Sequence, residues 1–145
     1  MSRATAAVAV ALTVVAGLGI RAAASGDLAK YAGDALYTVL IHALVVLIAP
    51  RTRPLTAAVA ALAFSWAVEL LQLTGVPGEL SRHSTVARLV LGSTFNAPDL
   101  FWYAVGAGAA WAVHRVAGAR AAARPTGPAA VSASAGPAPR TSASR

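Results

Sequence analysis

Four long apolar stretches organise the chain, and each ends at a charge, a proline or a glycine. The first, ATAAVAVALTVVAGLGI, covers 4–20 between Arg3 and Arg21. The second covers 33–49, through ALYTVLIHALVVLIA, and stops at Pro50. The third, LTAAVAALAFSWAVELLQL, covers 55–73, opened by Pro54 and closed by Gly75 and Pro77. The fourth covers 98–116, starting at Pro98 and Asp99. Each is close to the roughly 17 to 25 residues a helix needs to cross the hydrocarbon core of a bilayer. Backbone polar groups in lipid must be paired within the protein, so spans are helices or closed barrels, and these stretches lack the alternation of barrel strands. The pattern predicts an all-α fold, a four-helix transmembrane bundle filling 1–119.

From Arg120 the composition changes to RAAARPTGPAAVSASAGPAPRTSASR, where Val131 is the single larger aliphatic residue. Such a segment buries too little apolar surface to offset its ordering entropy, so 120–145 is expected to be a disordered tail. The first stretch has a second reading: MSR, an apolar run and Ala22-Ala23-Ala24 also fit a secretory signal with a small-residue cleavage site. Its length favours a retained span.

Composition agrees with this pattern. The 145 residues are 57% hydrophobic and only 12% charged, whereas soluble domains are about a quarter charged. The net charge of +7 does not mark a nucleic-acid partner, because the basic residues lie between apolar runs and in the tail, where they act as topology signals and meet lipid headgroups. Arg3, Arg51, Arg53, Arg115, Arg120 and Arg124 mark one side, and the loops at 21–32 and 74–97 carry the weaker basic bias. By the positive-inside rule both termini are expected in the cytoplasm, in a multi-pass protein of the cell membrane. Cysteine is absent, which excludes disulfides and thiolate chemistry. No histidine pair has metal-ligand spacing and no nucleotide or nucleophile-elbow motif occurs, so no metal and no cofactor is expected.

The chemistry worth locating is the charge inside the apolar stretches. A carboxylate at the centre of a membrane helix costs about 2.5 to 3.5 kcal/mol, while each Leu, Ile, Phe or Val returns about 0.3 to 0.6. Eight such residues in the third stretch therefore offset Glu69 only barely, by on the order of 3 kcal/mol. Glu69 should turn inward and find donors. Ser65, Glu69 and Gln72 stand at i−4, i and i+3 and share one face. With both termini inside, Glu69 and Gln72, Asp34 at the start of the second span, Asp99 and Tyr103 at the start of the fourth, and Arg82 and Arg88 in the loop all fall at the outer end of the bundle. These seven residues form the candidate binding cluster. The plainer reading of each also stands: Glu69 as an interhelical hydrogen bond, Asp34 and Asp99 as anions favoured at helix N-termini, Arg82 and Arg88 as neutralising charges. His42 reads as a packing residue, and His83 and His114 as interfacial. Gly106 with Ala110, and Ala104 with Gly108, have the small-xxx-small spacing of close helix contacts.

GDALYTVLIH, WAVELLQL and RHSTVARLVLGSTFNAPDLFWYAVGA together resemble the DUF2809 membrane family. That family's pattern has a Gly-Asp opening one helix, a Glu-x-x-Gln element in the next, and an LG-x-x-F-x-x-x-D-L-x-x-Y-x-x-G element opening the last. The matching positions are Gly33 and Asp34, Glu69 and Gln72, then Gly92, Phe95, Asp99, Tyr103 and Gly106. A broader similarity is to VanZ-like proteins, small membrane proteins linked to glycopeptide-antibiotic tolerance, from which this chain departs around Asn96. The resemblance implies a membrane fold and site positions but no activity. Two functions fit. One is a non-enzymatic protein holding a charged or amphiphilic envelope component, with membrane lipids and a lipid-linked or cell-wall component as partners. The other is an enzyme acting on a lipid-linked phosphate, with Glu69 or Asp99 as general base. Proton-coupled transport would require a homo-oligomer, because four helices leave little room for a pathway.

Overall fold

A computed structural model describes residues 1–123 as six helices with no strand among them. They are α1 (Arg3–Ala23), α2 (Gly26–Ile48), α3 (Pro54–Leu71), α4 (Val76–His83), α5 (Thr85–Leu91) and α6 (Ala97–Ala122), with a single 3₁₀ turn, Gln72–Thr74, extending α3. Local chemistry explains the boundaries. Ser2 caps α1 by accepting from the Thr5 N–H at 3.1 Å. Pro54 opens α3 and Pro98 lies in the first turn of α6, where a missing N–H costs nothing. Ser84 accepts from the Ala87 N–H at 3.2 Å and caps α5.

Burial in this bundle is inverted relative to a soluble one. Leu12, Val15, Leu18, Leu55, Val59, Phe101 and Val113 are exposed. The buried positions include Thr38, His42, Ser65, Glu69, Asp99 and His114, and most of the buried apolar residues are alanines. A large apolar exterior around a polar interior suits lipid as the surrounding solvent. Three helices among the described residues are long and apolar enough to cross a membrane: α1, α2, and α3 with its 3₁₀ turn. The 26 residues of α6 reach about 39 Å. Its glycines, Trp102, Tyr103, Trp111, His114 and Arg115 dilute its hydropathy, and it does not join that set.

α2 is the central element, packed against α1, α3 and α6, and α3 and α6 also meet. The α2–α6 contact depends on Gly106. A Cβ there would lie 2.2 Å from the Ala35 carbonyl oxygen, far inside any tolerated approach. Gly106, Ala107 and Ala110 are buried on this face, so the first small-residue pair sits in the contact. Gly108 faces open space, and the second pair does not.

Three expectations need revision. α2 begins at Gly26 and not near Gly33, because Leu28, Ala29, Tyr31 and Ala32 extend its helical run. Asp34 therefore lies inside the helix, not at its N-terminus. The segment 74–97 is not an open loop: α4, with Glu79 in its first turn and Arg82 and His83 in its last, matches the helix dipole, and α5 follows at the Ser84 cap. Finally, α6 continues to Ala122, past Arg120. The remainder of the expected disordered tail lies outside the described residues.

His114 is the clearest departure. It is 4% exposed, not interfacial, and its Nδ1 lies 3.2 Å from Nε2 of His42, itself 3% exposed. The rings meet edge to face. One turn toward the other end, Thr38 and Ser65 share a buried hydroxyl bond of 2.9 Å. Both contacts join helices by polar pairs, for which about 0.6 kcal/mol is a typical value in lipid. Replacing either histidine by leucine leaves the other unpaired, whereas replacing both removes the problem. The double variant is therefore expected to be more stable than the sum of the singles by about 1 kcal/mol, measured by reversible unfolding in detergent. Strict additivity would mean that the two rings do not interact.

Candidate functional site

The polar end of the bundle is built around Glu69. Its position on the inner face of α3 follows from the Ser65–Glu69–Gln72 spacing, and all three residues are buried. Glu69 is 1% exposed and receives three donors. The backbone N–H of Asn96 donates to Oε1 at 2.6 Å, and the Tyr103 hydroxyl donates to Oε2 at 2.9 Å. Nε2 of Gln72 donates to Oε2 at 3.2 Å. One carboxylate thus ties together α3, the segment entering α6, and α6 itself. Charge-assisted bonds of this kind are about twice as strong as neutral ones.

Gln72 extends the network, because its Nε2 also donates to the Leu91 carbonyl at 2.9 Å. This contact fixes the end of α5, and Gly92 makes it possible. Its φ of +67° belongs to the left-handed region, and a Cβ there would fall 2.6 Å from Gln72 Nε2. Any larger residue would therefore be strained in its backbone and would collide with the amide. Ser81 donates to the Gly92 carbonyl at 2.7 Å, and Tyr37 to that of Val90 at 2.9 Å, so α4 and α2 hold the same corner.

Asp99 lies in the first turn of α6, where the helix dipole favours an anion. Its partner is Lys30 on α2, whose Nζ donates to Oδ1 at 2.5 Å, and the Asn96 side-chain amide donates to the same oxygen. Asp34, one turn after Lys30 on the same face of α2, sits within the field of Asp99, Glu69 and Lys30. Its Oδ2 is buried and has no hydrogen-bond partner.

A cavity of about 380 Å³ opens beside this network, bounded by α1, α2, α5 and the end of α3. Asp34, Gln72, Arg88 and Tyr103 line it, and Arg21 and Lys30 add two further basic side chains. Val68, Leu89 and Val90 supply apolar wall. Charged and apolar lining together suit a ligand with a polar head and a greasy body.

Six of the seven candidate residues therefore gather at one end of the bundle: Asp34, Gln72, Arg88 and Tyr103 on the cavity, with Glu69 and Asp99 behind them. Arg82 does not join. It is exposed and pairs with Glu79 at 3.2 Å within α4, beside a separate surface hollow. His83 likewise pairs with Glu79, at 3.3 Å. Lys30 and Arg21 escaped the sequence reading. Lys30 falls in the 21–32 loop of the apolar pattern, although its four-residue spacing from Asp34, and His42's eight beyond that, mark one helical stripe. Arg21 carried no signal beyond its place at the end of the first span. No group of three or more metal-ligating side chains occurs among the described residues.

The family model for a protein of unknown function, DUF2809, matches residues 23–107. That interval contains α2 to α5, the first turns of α6 and every residue of the Glu69 network. No curated protein and no solved structure matches the chain.

Proposed function

The chain belongs to the DUF2809 family, and since that membership specifies no chemistry, we propose from its own residues that it is a multi-pass cell-membrane protein holding a charged, amphiphilic envelope component in the cavity beside Asp34 and Arg88. In this reading α6 is the fourth span, covered by α2 and α3 on one side and presenting Phe101, Val105, Val113 and Val116 on the other. Both termini are cytoplasmic and the cavity opens at the outer face. A tolerance role of the VanZ-like kind then follows from sequestering or shielding the bound component.

The observation that supports this most is the cavity itself: basic side chains and the Asp34 carboxylate grouped against apolar wall at one end of a lipid-compatible bundle. The saturation of Glu69 by three donors favours binding over the alternative, an enzyme acting on a lipid-linked phosphate. A general base needs to reach the proton it removes, and both oxygens of Glu69 are already committed to scaffold.

Protein captured from its native membranes and extracted with organic solvent is expected to yield a co-purifying component. A variant carrying Arg21→Gln and Arg88→Gln is expected to lose it. Identical extracts from the two would refute binding at this cavity. The chain lacks cysteine, so single cysteines at Gly33 or Val90 report sidedness directly: a membrane-impermeant maleimide added to intact cells should label both. Labelling only after lysis would reverse the topology.

A further inference from the structure

The charges around the cavity are unevenly distributed, and this narrows the chemistry of the ligand. On the side formed by α2, α3 and α6, three carboxylates stand together: Asp34, Glu69 and Asp99. Lys30 is the one basic side chain bonded among them, and it is committed to Asp99 at 2.5 Å. Glu69 is satisfied by neutral donors. Asp34 stands next to two other acids, in hydrogen-bond range of Asp99, and has no basic or amide group bonded to it. Arg21 from the end of α1 and Arg88 from α5 also line the cavity. Neither has an acidic partner within 4.0 Å among the described residues.

A purely anionic ligand would satisfy the arginines and crowd Asp34. A purely cationic one would do the reverse. Resting on the proposed binding role, we propose that the cavity takes a zwitterionic head in which a phosphate is joined to a primary ammonium. The phosphate meets Arg21 and Arg88, whose planar forks match its oxygens. The ammonium donates to the carboxylate of Asp34, which lines the cavity. Leu89, Val90 and Val68 take the first apolar part of the molecule. A primary ammonium is specified because the Asp34 carboxylate accepts hydrogen bonds, which a fully methylated ammonium cannot donate. The same chemistry occurs in an aminophospholipid and in free phosphoethanolamine.

The test uses the full-length protein in nanodiscs made from equal parts of phosphatidylethanolamine, its N-methylated derivatives, phosphatidylcholine and phosphatidylglycerol. Native mass spectrometry after release counts the retained lipid. The ethanolamine lipid should exceed both the choline and the glycerol lipid by about tenfold, the value of one charge-assisted hydrogen bond, with the methylated series falling between. Asp34→Asn should bring the ethanolamine and choline lipids to parity, while the paired Arg21→Gln and Arg88→Gln variant should lose all three. Adding free O-phosphoethanolamine locates the source: displacement of the retained lipid supports a soluble ligand, no displacement supports the lipid, and the head chemistry is upheld in both. Equal retention of ethanolamine and choline lipids by the unaltered protein would overturn the proposal without requiring any variant to fold. It would leave the broader binding role standing. That role fails only if no lipid is retained above the level of an unrelated membrane protein.

Discussion

Gly106→Val is expected to be one of the two most damaging single substitutions in the bundle interior. The Cβ of any residue at 106 would sit 2.2 Å from the Ala35 carbonyl oxygen and 2.9 Å from its carbon. These atoms are helix backbone, so no side-chain rotation relieves the clash. α2 and α6 must instead part by on the order of 1 Å along the contact. Overpacking of this kind costs about 1 to 3 kcal/mol, and valine's branched Cβ places it at the upper end. Without a hydrophobic effect between helices in lipid, close backbone approach supplies much of the association, and it is lost here. The displacement also reaches the site, because Tyr103 and Asp99 precede Gly106 on α6, and Lys30 and Asp34 precede Ala35 on α2. The check is unfolding of the purified protein in detergent beside Gly108→Val. Position 108 faces open space, and its valine should shift stability by no more than about 0.5 kcal/mol. Equal behaviour of the two variants would show that the helices are not in contact at Gly106.

What the sequence disclosed and what it hid divide along a physical line. Apolar length revealed the long helices, since the hydrocarbon thickness sets a minimum that few other structures meet. The inward turn of Glu69 was legible because an isolated carboxylate in lipid is too costly to leave unpaired, and the three-and-four spacing to Ser65 and Gln72 fixed its face. The close approach at Gly106 was legible from small-residue spacing, although the spacing could not choose between Gly106–Ala110 and Ala104–Gly108. Partners were not legible, because partnership depends on how helices rotate about one another. Nothing local to Lys30 indicates Asp99, and nothing near His114 indicates His42 on another helix. For His114 the interfacial reading drew on its position near the end of the fourth apolar stretch, but α6 continues well past it, to Ala122. For Arg82, an acid three residues earlier on the same short helix competes successfully with the distant cluster. That competition could be anticipated once 76–83 was seen as a helix and not as a loop.

Glu69→Leu should be at least as harmful as the Gly106 change, and for the opposite reason: it fits in volume but removes the acceptor. Three donors lose their partner at once, namely the Asn96 N–H, the Tyr103 hydroxyl and the Gln72 amide. Each buried donor left unpaired costs about 1 to 3 kcal/mol. Gln72 keeps its bond to the Leu91 carbonyl, and the Tyr103 hydroxyl can rotate, which limits the total to about 3 to 5 kcal/mol. Glu69→Gln separates charge from connectivity. Its carbonyl oxygen can still accept from the Asn96 N–H, and the Tyr103 hydroxyl can turn to accept from its new amide. The Gln72 amide then faces another donor, and flipping it would sacrifice the bond to Leu91. Glu69→Gln should therefore lose about 1 to 2 kcal/mol, roughly one buried hydrogen bond. Adding Gln72→Leu to Glu69→Gln tests the assignment. If the amide conflict is the cause, the second change should cost less in the Glu69→Gln background than in the unaltered protein. Unfolding of the four proteins closes that cycle. A Glu69→Leu protein as stable as the original would mean that the carboxylate does not hold α3 to α6, and the corner that shapes the cavity would need another support.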